Sequence, residues 1–259
     1  MPPKSPFQKA AASFPPSTGS LAVPPSSPQV SLRTPPRAGY EAPTGRILRR
    51  SPPSSRVVPR EGELILDYPT PLEPVTALRS TLITSSLTSL RARGLFERYD
   101  ALQTTPHRQT ILNLVAGEWL GPEVALAHYQ TCDALGLEVE EQIAIGKDVS
   151  ARIHETFLSL VVKAARGVGM TPWLLLPKGN SVQRRLCVGG GIRIFKLGPK
   201  SARIELARMP HLAIPYARHG VLGIYTAAVE LLATNVTARI VKTESGDPTH
   251  VMVLRIDWG

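Results

Sequence analysis

The clearest alternation of apolar and polar positions lies at the end of the chain. There Met252, Leu254, Ile256 and Trp258 fall on one side, and Val251, Val253, Arg255 and Asp257 on the other. A period of two is that of a β-strand with one face buried, so the first set is expected to face a core and the second a partly wet surface. Residues 236–242 read as the partner strand, joined through Glu244, Ser245, Gly246, Asp247 and Pro248. An earlier pair, residues 192–197 and 202–207, brackets Gly198-Pro199-Lys200-Ser201. Gly and Pro between two stretches rich in β-branched residues predict a short-looped hairpin. Residues 215–233 join the hairpins and place Val221, Ile224, Tyr225, Ala228, Leu231 and Leu232 at helical spacing.

Upstream the pattern changes to helical spacing. Residues 76–93 predict a helix ended by Gly94, and residues 107–116 a second that stops before Gly117. Gly121-Pro122-Glu123 opens a third, with Pro in the first turn and an acid beside it, and Gly136 suits its left-handed exit. Residues 139–166 predict a long helical region that breaks near Gly146. Its second half turns Ile153, Phe157, Leu160, Val161 and Ala164 toward a core and Arg152, Glu155 and Lys163 away. The fold class is therefore α+β: a helical N-terminal half packed on a small antiparallel sheet made of two hairpins joined by a helix (ββαββ).

Composition divides the chain near residue 62. Residues 1–60 hold 14 of the 25 prolines, and nine basic residues against the single acid Glu41, a net of +8 within a total of +10. A segment so poor in large apolar side chains cannot offset its ordering entropy, so residues 1–62 are expected to form a disordered basic tail and residues 63–259 a single domain. The remainder carries 21 basic and 19 acidic residues, which argues against specific nucleic-acid recognition by the domain. Weak, nonspecific anion binding is left to the tail. Prolines interrupt every candidate leader sequence and no apolar run reaches membrane-spanning length, so the expected location is cytoplasmic.

Candidate chemistry is sparse. Cys132 and Cys187 are 55 residues apart and read as buried reduced thiols. His128 and Cys132 share a helical face at i, i+4, but two ligands fall short of the four a structural zinc requires. Gly189-Gly190-Gly191 is followed by a strand rather than the helix N-terminus a phosphate loop needs. Ser150 with His154 and Glu155 lacks a nucleophile motif. Arg203, Arg208 and Arg218 read as solvated strand edges and helix faces. No catalytic or metal-ligating residue is assigned.

The Gly-rich approach at Gly189-Gly190-Gly191, the turn Leu197-Gly198-Pro199-Lys200, the helix opening Pro215-Tyr216 and the strand end Ile256-Asp257-Trp258 carry a resemblance. Together with the helical half they resemble an uncharacterised paralogous family abundant in myxobacteria. That family is distantly similar to the fold shared by vinyl-reductase-activator domains and heme nitric-oxide-binding domains. The resemblance spans residues 76–258 and implies architecture rather than a reaction. It draws attention to His211, Tyr216 and Arg218 as ligand-binding candidates: an imidazole able to ligate iron, and a Tyr and an Arg near it able to contact propionates. In the nitric-oxide-binding family the Tyr and Arg bracket a Ser at alternate positions and the ligand His lies on a preceding helix. Here Ala217 separates Tyr216 from Arg218, and His211 lies between a strand and Pro215. No cofactor is therefore predicted, heme being the lesser reading. The favoured function is a noncatalytic sensing or protein-interaction module holding a small apolar ligand or a partner protein. The alternative is an enzyme whose site converges only in three dimensions; clustered His, Cys, Asp and Glu residues of the kind it would need are few.

Overall fold

Two antiparallel sheets and seven α-helices account for the described residues, which in this computed structural model are 62–157, 171–241 and 252–259. All of these elements belong to the compact unit Arg56–Gly259. The strands are β1 (Glu63–Leu66), β2 (Ala77–Arg79), β3 (Trp119–Leu120), β4 (Cys187–Val188), β5 (Gly191–Gly198), β6 (Ser201–Ala207), β7 (Thr237–Val241) and β8 (Met252–Asp257). The helices are α1 (Ser80–Ala92), α2 (Phe96–Leu102), α3 (Arg108–Leu112), α4 (Pro122–Ala134), α5 (Val139–Phe157), α6 (Gly179–Leu186) and α7 (Pro215–Glu230). The fold is α+β, with helices packed on an antiparallel sheet. The five-stranded sheet has the order β1-β5-β6-β8-β7, and β2 is the centre of a small sheet ordered β3-β2-β4.

Both expected hairpins form, joined by α7, with β1 added at the free edge of β5. Across β6 and β8 the register pairs Ala202 with Ile256, Ile204 with Leu254 and Leu206 with Met252. All six side chains are buried, so the alternation in the sequence does mark the core face. The opposite face is wet at Arg255 and Asp257, whose side chains are 41% and 39% exposed, and departs from expectation at Val253. Val253 is only 2% exposed and its register partner Glu205 only 7%. Part of this face is covered by the connection after β1, because a Cβ on Gly191 would run into Leu72 and Pro69. Arg193 lies over the Tyr68 ring at 4.1 Å and pairs with Asp67 at 2.6 Å. Glu205 accepts Arg203 at 2.7 Å and lies 3.9 Å from Arg193. Arg203, read from the sequence as a solvated edge, is thus part of a half-buried charge cluster.

Three further corrections concern the helices. Residues 77–79 are a strand rather than the first turn of α1, held by β3 and β4 on its two sides. The helix expected over 107–116 is only the five residues of α3. Gly146 does not break α5. It gives α7 room to approach, since a Cβ on Gly146 would strike the Gly220 carbonyl. Gly94 and Gly136 end α1 and α4 with positive φ (69° and 60°), as their positions in the sequence suggest. The later part of the expected long helix, the turn of the second hairpin and the N-terminal tail lie outside the described residues.

Candidate functional site

Helix α7 is placed by its first turn. Pro215 occupies the opening position, where a missing N–H costs nothing, and the backbone N–H of Tyr216 donates to Asp133 Oδ1 of α4 at 2.9 Å. A carboxylate there also opposes the positive end of the helix. The Tyr216 side chain points inward and its hydroxyl lies 3.4 Å from Ser86 Oγ. Ser86 in turn meets His128 Nε2 at 3.1 Å, and His128 Nδ1 meets the Tyr99 hydroxyl at 2.9 Å. Gln103 donates to that hydroxyl at 3.2 Å and accepts from Thr131 at 3.1 Å. Both nitrogens of His128 are therefore engaged by the fold, and burial holds its pKa down to about 3. Cys132, whose Sγ is 3.6 Å from His128 Nε2, is buried as well, and desolvation raises its pKa. Among the described residues no group of three or more His, Cys, Asp or Glu gathers to hold a metal.

Beside this network lies a cavity of about 170 Å³. Ile153 of α5 and Val182 and Leu186 of α6 form one part of its wall, and Ile192 and Leu206 of the sheet another. Val221 and Ile224 of α7 add to it. The wall is almost wholly apolar, and its polar members are few. Ser150 donates its hydroxyl to the Ile224 carbonyl at 3.1 Å. Lys178 is exposed at the rim. Gln183 donates from Nε2 to the Gly189 carbonyl at 3.1 Å, which fixes its amide and leaves the buried Oε1 without a partner. His211, Tyr129, Tyr225 and the Cys187 thiol complete the set. A smaller cavity of about 30 Å³ shares Leu82, Tyr129, Val221 and Ile224 with the first and is lined also by Tyr216.

The structure brings two of the three residues singled out from the sequence to this region. His211, in the 3-10 turn Pro210–Ala213, is only 6% exposed and stacks on Tyr129 with ring centroids 5.7 Å apart. Tyr216 lies on the same tyrosine at 6.5 Å. Burial pushes the His211 pKa down to about 4, so at neutral pH its imidazole is uncharged, with one nitrogen a donor and the other an acceptor. It has no hydrogen-bond partner among the described residues. Arg218 is partly exposed and lines neither cavity. Tyr129, Gln183 and Tyr225 were not singled out. Tyr129 carried a signal in its position beside His128 on α4, and Tyr225 in its place among the apolar positions of α7 with Val221, Ile224 and Ala228.

No family model and no curated protein matches the chain. Solved structures of similar fold do exist. An Fe(II) unliganded H-NOX protein from K. algicida superimposes with a TM-score of 0.52 at 14% identity, over 70% of this chain and 97% of that one. A point mutant of the same protein gives 0.54 at 13% identity, with the same coverage. At such identity the likeness establishes the fold, that of the heme nitric-oxide-binding domains, and not the ligand.

Among the described residues the cavity does not have the room a porphyrin needs. The cavity is close in volume to an engineered 150 Å³ cavity that takes benzene, far below the needs of a macrocycle. Among the described residues helix α6 presents Val182, Gln183 and Leu186 there, and the wall's one imidazole and one thiol, His211 and Cys187, come from the segments that follow it. Arg218, the side chain considered for a propionate, lines neither cavity.

Proposed function

We propose that this domain is a noncatalytic sensing module on the H-NOX-like fold, and that it takes up a small, largely apolar ligand between α5, α6, α7 and the sheet. The observation that carries the reading is the apolar cavity walled by these elements, with a few polar groups set into it. Ligand sites are commonly built this way, as apolar concavities with a small number of placed polar groups. Gly146 and Gly220, which meet backbone to backbone, line the smaller neighbouring cavity that shares Val221 and Ile224 with this one.

The N-terminal tail is proposed as a tether, its +8 charge giving weak binding to anionic polymers or surfaces that fades with salt. No described helix is long and apolar enough to cross a membrane. Native mass spectrometry of the protein purified from its own host tests the ligand reading. A retained organic molecule of low mass is expected. A retained porphyrin with its Soret absorption would overturn the reading in favour of a heme sensor.

A further inference from the structure

Resting on that reading, we infer that the ligand is an uncharged apolar molecule carrying a hydroxyl group, and that the hydroxyl pairs with the His211 imidazole. Three observations lead to it. The wall offers its occupant almost only hydrocarbon, and Lys178 stands exposed at the rim, so an ionised ligand would lose its hydration without a buried counter-charge. Within that wall His211 is more than nine-tenths buried and has no partner among the described residues. Its ring nitrogens are not sealed off by the protein, so an imidazole facing this apolar wall finds a partner only in what occupies the cavity. Stacking on Tyr129 holds the ring in one plane, so the direction of the missing bond is fixed in advance.

A neutral imidazole presents one donor and one acceptor nitrogen, and a hydroxyl, being both, can serve either. A plain hydrocarbon satisfies neither. The volume admits a single six-membered ring with a substituent, by comparison with the cavity of about 150 Å³ that accepts benzene.

Phenol and benzene are the probes, titrated into the full-length protein by calorimetry while the His211 ring nitrogens are followed by long-range ¹H–¹⁵N correlation. Phenol is expected to bind about three- to tenfold more tightly than benzene, the worth of one net hydrogen bond. Only phenol is expected to move the His211 nitrogen resonances. In His211→Phe, which keeps a ring against Tyr129, the preference is expected to vanish while benzene binding persists. Equal affinities with unmoved His211 resonances would overturn the hydroxyl inference and leave the cavity reading intact. Failure of both probes to bind the wild-type protein would overturn the cavity reading itself. The wild-type comparison decides the question even if His211→Phe does not fold.

Discussion

Gly146 on α5 faces the Gly220 carbonyl on α7 with no room for a Cβ between them. Three residues further along α7, a Cβ on Gly223 would meet the Ile143 carbonyl. The two helices therefore meet backbone to backbone, as small residues permit. At Gly220 itself an added Cβ would meet nothing within 4 Å.

These contacts separate three glycines that look alike in the sequence. Gly146→Ala and Gly223→Ala are expected to lose about 1–3 kcal/mol through forced separation of the helices. Gly220→Ala is expected to be neutral or to gain up to about 1 kcal/mol, since Ala is the better helix former. Urea denaturation of the three variants checks the order, and equal effects would mean that the helices do not touch at these points.

Acid should destabilise the domain early. His128 and His211 have pKa values held down by burial to about 3 and about 4, against 6.5 in the unfolded chain. Below pH 6.5 the unfolded state binds protons that the native state refuses, so stability falls as pH falls. Each imidazole contributes a slope of about 1.4 kcal/mol per pH unit, that of His211 ending near pH 4 and that of His128 near pH 3. Denaturation curves at pH 7, 6 and 5 should show this loss. The slope of His128→Gln should be smaller by one proton, and an unchanged slope would place the His128 titration elsewhere.

What was legible in the sequence follows the range of the forces involved. The strand alternation at Met252 to Trp258, the turn at Pro199-Lys200 and the glycine exits at Gly94 and Gly136 depend on neighbours within a few residues, and each was readable. β2 was not, because Ala77–Arg79 is extended only through pairing with strands about 40 and 110 residues away. Gly146 was misread for a similar reason: its role depends on a residue 74 positions later. The candidate site suffered most. His211 and Tyr216 were picked out by a family resemblance, whereas Tyr129, Gln183 and Tyr225 reach the cavity from separate helices, a convergence that no local spacing encodes.

Burial of Val253 on the second face of β8 changes what a substitution there should do. Leu254 is fully buried and paired with Ile204 and Ile240, so Leu254→Ala should cost about 2–5 kcal/mol through lost contacts and the cavity left behind. On the other face Val253 lies between Glu205 and Val241 in register and is 2% exposed. Val253→Thr keeps the shape but buries a hydroxyl, and an unpaired one costs about 1–3 kcal/mol. A wet outer face would make that substitution nearly silent. Chemical denaturation of the two variants distinguishes the cases, and a Val253→Thr protein as stable as the wild type would show that this side of the sheet reaches water at Val253 as well.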